Sequence, residues 1–354
     1  MATGWTKWMG VGLWVIGGAL ILATLLPSFG IDRWWIQILI FPQVHFAVLL
    51  CVTALAAAWL LDSGRRAILF LLAALLACIG YQAFRLLPYT PLARQEAETA
   101  AACPAENRLR VLVLNVLKGN ARTGPVLDLV RSADPDLFLA LETDPAWAQA
   151  LQPLRSSYPN VVDAVRTNYW GMMLFSRLPL ADAKVRYLVD GYVPSIQARV
   201  RLPSGAEPVF YGLHPKPPLS GNEVALGDAE LIAAAREIRK SAAATVLAGD
   251  LNDVPWSPTT QLFQDVSGMR DPRVGRGIFP TYKTHAPLLS WPIDHIFASR
   301  GFSVIGFEKL ANVGSDHFPV LATLCHRPEV DAMRNGMGVQ LRRRAGGVIE
   351  AGRQ

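Results

Sequence analysis

Six short segments place polar or ionisable side chains at the ends of apolar runs. Arg110-Val111-Leu112-Val113-Leu114-Asn115 ends in an amide, and Asp136-Leu137-Phe138-Leu139-Ala140-Leu141-Glu142 ends in a carboxylate. Tyr211-Gly212-Leu213-His214 ends in an imidazole. Ala244-Thr245-Val246-Leu247-Ala248 runs into Gly249-Asp250-Leu251-Asn252, and Phe302 to Phe307 with a short loop precedes Gly314-Ser315-Asp316-His317. Pro292-Ile293-Asp294-His295-Ile296-Phe297 carries a carboxylate inside an apolar strand. Carboxylates, amides and a carboxylate–histidine pair gathered at strand mouths suit hydrolysis of a phosphoester with a hard divalent ion, which prefers oxygen ligands.

Several residues take a role from their own surroundings. Glu142 closes a long apolar run and is the first choice as metal ligand. Asp250 and Asn252 stand two apart on extended chain, so their side chains project to one side. The chain has six histidines, and His214 and His317 both fall in these segments. His295 should point to the opposite face of its strand from Asp294 and serve structure. Tyr169, Trp256 and Trp291 could wall a cleft, although packing is the commoner use of such rings.

In chain order the series is Asn, Glu, His, Asp-x-Asn, Asp, Asp-His. With these flanks, residues from about 108 to 325 resemble the endonuclease/exonuclease/phosphatase superfamily of DNase I-like proteins. The resemblance implies an α/β (α+β) fold, a four-layer αββα sandwich with its site at one end. It implies Mg²⁺, with Mn²⁺ as an alternative, held by Asn115, Glu142 and Asp316. His214, Asp250, Asn252, Asp294 and His317 would then be catalytic. Asp250 would position or deprotonate the attacking water, Asn252 would donate to a phosphate oxygen, and His317, held by Asp294, would bind the phosphate. His214 would protonate the leaving oxygen.

The elements needed to position these groups are legible as alternating strands and helices. Strands are expected at 108–116, 137–141, 161–165, 172–175, 185–189, 196–202, 209–213, 244–248, 292–298, 302–307 and 318–324. Helices are expected at 123–131, 145–151 and 222–240. If the first and last strands pair antiparallel, as the resemblance implies, Cys103 and Cys325 come close enough for a disulfide. That bond would mark an oxidising compartment.

Hydrophobic residues make up 51% of the 354 positions and charged residues 18%. The apolar excess sits in three stretches, about 11–29, 37–61 and 67–87. Each is long enough to cross a hydrocarbon core of about 30 Å. Trp5, Trp8, Trp34 and Trp35 stand at their edges, where interfacial tryptophans collect. Asp62-Ser63-Gly64-Arg65-Arg66 should make a tight break between the second and third stretches. Lys7 and the Arg65-Arg66 pair lie on one side, Arg33 and Arg85 on the other. The positive-inside rule then puts the N-terminus in the cytoplasm and the catalytic part outside, in a bacterium the periplasm.

The expected organisation is a three-helix transmembrane region at 1–88, a linker at 89–107, a catalytic domain at 108–326 and a disordered basic tail at 327–354. The net charge of +6 owes much to that tail and is poor support for a nucleic-acid groove. The function expected is a multi-pass phosphodiesterase of the bacterial inner membrane. Its partners are the lipid bilayer and a phosphoester substrate, either nucleic acid or phospholipid. The alternatives are a phosphomonoesterase of the same superfamily and a catalytically silent, membrane-tethered binding module.

Overall fold

A computed structural model of the chain describes residues 4–29, 33–59, 66–241, 243–327 and 339–353. The apolar N-terminal part forms α1 (Gly4–Leu25), the short α2 (Trp34–Gln37), α3 (Gln43–Trp59) and α4 (Arg66–Leu86). β1 (Arg108–Asn115), α5 (Thr123–Ala133), β2 (Leu137–Leu141), α6 (Pro145–Ala150), β3 (Asn160–Ala164) and β4 (Met172–Ser176) follow. Next come β5 (Leu180–Arg186), β6 (Ser195–Val200), β7 (Val209–Leu213), α7 (Gly221–Lys240) and β8 (Thr245–Asp250). The chain continues through α8 (Pro258–Ser267), β9 (Asp294–Ala298), β10 (Phe302–Lys309), β11 (Val320–His326) and α9 (Val339–Ala351).

The strands form two sheets, one of six strands in the order β10-β11-β1-β2-β4-β3 and one of five in the order β5-β6-β7-β8-β9. β2 shows why they stack. All five of its residues are apolar and buried. Leu137, Leu139 and Leu141 face the other sheet, among Ile196, Val246 and Ile296. Phe138 and Ala140 face outward against Val126, Val130 and Trp147 of α5 and α6. On the far side, α7, α8 and α9 cover the second sheet through Leu231, Phe263 and Ala345. Alternate residues of a central strand thus serve two interfaces, and the result is an αββα sandwich.

Topology brings the strand ends together. β1 and β2 are parallel, with α5 between them in sequence, and β7 and β8 are parallel, with α7 between them. Each pair therefore delivers two carboxyl ends to the same edge. β11 runs antiparallel to β1, and β9 antiparallel to β8, so their amino ends arrive there too. The helices start on clear signals. Asp144 accepts from Trp147 N ahead of Pro145, Ser220 accepts from Glu223 N, and Ser257 accepts from Thr260 N ahead of Pro258.

Cys103 and Cys325 form a disulfide, and the register that allows it pairs Arg108 with Cys325 on adjacent antiparallel strands. The stretch between α4 and β1 does not hang free. Ala97 is fully buried, Glu96 accepts from Asp271 N, and Ala100 N donates to Val304 O at 2.9 Å.

Three expectations need correction. The strand expected at 185–189 lies at Leu180–Arg186 instead; it is a sheet-edge strand with none of its seven residues fully buried and three of them exposed, so its apolar pattern is weak. The structureless tail expected at 327–354 contains α9, whose Ala345 and Ile349 are buried in the cluster formed with α7. Residues 328–338 of that tail lie outside the described residues. The apolar stretch 37–61 is no straight span. Trp34–Ile40 and Gln43–Trp59 meet at a bend of 72°. Pro42 stands at the bend, just ahead of α3, where its missing N–H cannot continue the hydrogen-bond ladder of the preceding turn.

α1 and α4 are long and apolar enough to cross a membrane, and the bent pair makes a third candidate. α1, α3 and α4 pack through Leu20, Leu50, Leu71 and Leu75. Of the expected Asp62–Arg66 break, residues 62–65 lie outside the described residues, and α4 begins at Arg66.

Candidate active site

The shared edge of the two sheets holds a cleft of about 650 Å³. Glu142, His214, Asp250, Asn252, Asp316 and His317 all line it. Asn115 and Asp294 lie just beneath, almost fully buried. The sites expected from sequence therefore come together in one place.

Asn115, the last residue of β1, ties the two carboxylates of the floor. Its amide nitrogen donates to Glu142 Oε1 at 2.9 Å and to Asp250 Oδ2 at 3.1 Å. Its amide oxygen accepts from Leu117 N at 3.0 Å. Asn115 thus turns N–H, not oxygen, toward the acids, and it orients Glu142 where a metal ligand was expected. Lys118 N donates to Glu142 Oε2 at 2.9 Å and completes the cradle.

Asp250 sits between two imidazoles. His214 Nε2 lies 3.7 Å and His317 Nε2 lies 3.6 Å from Asp250 Oδ2. The other oxygen, Oδ1, accepts from Asn252 N at 3.0 Å, and Asn252 Nδ2 is anchored on Pro215 O at 3.0 Å. His317 Nδ1 donates to Asp294 Oδ2 at 2.8 Å. Asp250, Asp294 and His317 each bring a ligand atom within 4.8 Å of the others, a grouping able to hold a metal ion.

The charges differ from group to group. Burial alone would hold His317 below its usual range, but the Asp294 and Asp250 carboxylates outweigh it and push the pKa up to about 10. Burial pushes the Asp250 carboxyl up, opposed by the imidazole of His317. Burial holds His214 down, against the pull of Asp250. Burial thus favours the neutral form of His214 at rest. His295 lies apart from the cleft, fully buried, with Arg273 Nη2 at 2.5 Å and Asp253 O at 2.8 Å.

Other contributors carry weaker sequence signals. The Ser315 hydroxyl donates to Asn115 O at 2.6 Å and accepts from His317 N at 3.0 Å, tying the end of β1 to the segment that leads into β11 beside it. Tyr282 packs its ring 4.9 Å from that of His317, and Trp170 sets its edge on His214 at 5.3 Å. Tyr169 and Trp291 line the cleft, while Trp256 is buried. Glu142 and Asn252 adopt φ of +60° and +51°, a left-handed conformation costing about 1 kcal/mol or more and concentrated at functional sites.

The sequence profile of the endonuclease/exonuclease/phosphatase family matches residues 112–317 of the 354. The chain belongs to the endonuclease/exonuclease/phosphatase family. That span opens inside β1 and closes on His317, so it takes in every residue placed at the cleft except those of the N-terminal helices. Solved structures agree on the fold. The endonuclease/exonuclease/phosphatase from Beutenbergia cavernae DSM 12333 is 21% identical over 62% of this chain and 72% of its own, with a TM-score of 0.50. That from Bacteroides vulgatus is 16% identical over 62% of this chain and 99% of its own, with a TM-score of 0.52. No curated protein matches the chain.

Proposed function

We propose that the chain is a membrane-anchored, divalent-metal-dependent phosphoesterase that hydrolyses a phosphodiester by in-line attack of water. The convergence of Glu142, Asp250, Asp316, His214 and His317 on one cleft carries this reading. The donor set suits a hard cation. Glu142, Asp250 and Asp316 crowd three carboxylates into that cleft, and after burial the charges of these same three acids push the Tyr282 phenol up. Glu142 and Asp316 would hold Mg²⁺ or Mn²⁺, with Asn115 orienting Glu142. A bound ion supplies positive charge against the phosphate oxygens.

The chain's own groups account for the remaining chemistry. Asp250 accepts the proton of the attacking water; its raised pKa makes it a stronger base than an exposed carboxylate. His317, an imidazolium held by Asp294, faces the phosphate. Asn252 has one N–H on Pro215 O and keeps a second for a phosphate oxygen. Donors fixed in this way are worth about 3–4 kcal/mol of barrier each. As the P–O bond to the leaving group breaks, its oxygen takes a proton by way of His214, whose Nε2 lies 3.7 Å from Asp250 Oδ2, the group that received the water's proton. Residues 1–88 anchor the enzyme, 89–107 connect, and 108–326 catalyse. The disulfide and the charge balance of the spans favour an extracytoplasmic, periplasmic catalytic domain.

The test uses the full chain in detergent with bis(p-nitrophenyl) phosphate and p-nitrophenyl phosphate. Mg²⁺, Mn²⁺ and EDTA are compared, in wild type and Asp250→Asn. Turnover of the diester should require metal and fall at least ~10²-fold in the variant. Turnover that survives the substitution removes Asp250 from its role. Inactivity on both esters with every metal leaves a silent binding module.

A further inference from the structure

One wall of the cleft comes from the membrane region. Ile38, Phe41 and Pro42, at the bend between α2 and α3, line it together with Leu219, Trp291 and Ile293 of the catalytic domain. The bend is docked rather than resting loosely. Trp256 Nε1 donates to Ile40 O at 2.8 Å, Arg85 Nη2 donates to Trp256 O, and Tyr89 donates its hydroxyl proton to Pro255 O at 2.8 Å. Ile40, Val254, Trp256 and Ile293 share one buried cluster beneath it. Phe41 meets the Trp291 ring edge-on at 6.3 Å. On α3, His45 Nε2 is hydrogen-bonded to Leu288 O, which holds a loop of the catalytic domain against that helix.

Apolar side chains stand exposed at the cleft and on the loop that His45 holds. Leu219 is 65% exposed and Leu288 is 86% exposed. Outward-facing Leu55, Phe70 and Phe84 of α3 and α4 continue the exposed apolar surface along the helices. Exposed apolar surface of this kind marks contact with a partner or a membrane. A polynucleotide would need a track of cations for its phosphates. Here Lys118 and Lys283 lie against the rings of Tyr169 and Trp291, at 4.8 Å and 5.8 Å, suited to a single anionic headgroup.

We infer that the cleft takes the phosphoester headgroup of a membrane lipid, whose hydrocarbon chain leaves along Ile38, Phe41 and Leu219 into the bilayer. This rests on the phosphoesterase reading and adds the source of the substrate. The broken span then has a use. A straight helix would pass the domain by, whereas the bend at Pro42 sets apolar side chains at the cleft where the chain must exit.

The experiment reads chain-length dependence in the full protein reconstituted in phosphatidylcholine nanodiscs. The substrates are p-nitrophenyl phosphodiesters whose second ester is methyl, octyl or dodecyl, with a short DNA oligonucleotide alongside. Wild type should show kcat/KM at least ~10-fold higher for the dodecyl than for the methyl ester. Phe41→Asp and, on the exposed loop where folding is not at stake, Leu219→Asp should each lower that dodecyl-to-methyl ratio severalfold. Partition into the disc is common to all variants, so it cancels in the ratio. Metal-dependent methyl-ester turnover with a flat chain-length series, or a ratio untouched by both substitutions, overturns the lipid assignment and leaves the phosphoesterase standing. Faster cleavage of the oligonucleotide than of the dodecyl ester also overturns it, in favour of a nuclease. Failure to hydrolyse any ester with metal present takes down both readings.

Discussion

His317 Nδ1 and Asp294 Oδ2, 2.8 Å apart, join the two sheets at their shared edge. Asp294 opens β9 of the five-stranded sheet, and His317 stands just ahead of β11 in the six-stranded one. The pair is almost wholly buried, so its attraction is screened little by solvent. It holds a positive imidazole beside Asp250 and at the same time clamps the sandwich where the chemistry is placed.

Asp294→Asn keeps the shape and an acceptor but removes the charge that sustains the imidazolium. Activity should fall at least ~10²-fold. Stability should fall by about 1–3 kcal/mol, because a buried ionic partner is lost. Urea unfolding together with diester kinetics checks both. A variant that loses stability but keeps its rate would reduce the pair to a structural clamp.

The two site histidines give opposite pH signatures. The fold raises His317 from 6.5 to about 10, so it binds that proton more tightly than the unfolded chain does. Its stabilising contribution is complete below 6.5 and is lost as pH climbs toward 10. The fold lowers His214 below 6.5, so its contribution is present above that value and is lost as pH falls through it. Thermal melts across pH should decline on both sides. In Asp294→Asn the alkaline decline should move to lower pH. An unmoved alkaline limb would place the titrating group elsewhere.

Cys103 and Cys325 close a loop of 222 residues around the whole sandwich. Cross-linking so long a loop removes much freedom from the unfolded chain, and loss of such a bond typically costs about 2–5 kcal/mol. Cys103→Ser, or dithiothreitol treatment of the wild type, should lower the urea midpoint accordingly. Cys325 lies near the end of β11 away from the cleft, and Cys103 precedes the neighbouring end of β1, so kcat under folded conditions should hold. An equal midpoint with and without reductant would mean that the bond adds no stability.

What the sequence revealed and what it hid follow a physical division. β2 and β8 are continuous apolar runs because both faces of a central strand are covered, and their polar ends, Glu142 and Asp250, stand out against them. The site was legible for that reason. β5 at the sheet edge leaves no such contrast. α8 announces itself through Ser257 and Pro258, a cap and first-turn pair that passes unnoticed beside the more arresting Asp250-Leu251-Asn252. α9 carries Leu341, Ala345, Val348 and Ile349 at helical spacing, but its arginines read as a solvated tail. The neutral state of His214 and the inward turn of the Asn115 amide depend on burial and partners from distant strands, which no local pattern encodes. The docking of Phe41 against Trp291 is of the same kind.

Gly249 gives the sharpest test of how the strands set the site. A Cβ there would lie 1.8 Å from Leu213 O, on the residue it faces across β7 and β8. The next residues along these two strands are His214 and Asp250, with 3.7 Å between Nε2 and Oδ2. Gly249→Ala must therefore push the strands apart at the point where the base is aligned. Overpacking of this kind costs about 1–3 kcal/mol or more, and a displacement of about 1 Å at a reacting group can cost ~10²-fold in rate. Gly306→Ala is the control, since its Cβ would meet nothing closer than Glu308 Oε1 at 3.6 Å. Diester turnover and circular dichroism on both variants should show the loss confined to Gly249→Ala. Equal rates in the two would mean that the cleft tolerates movement of β8 against β7.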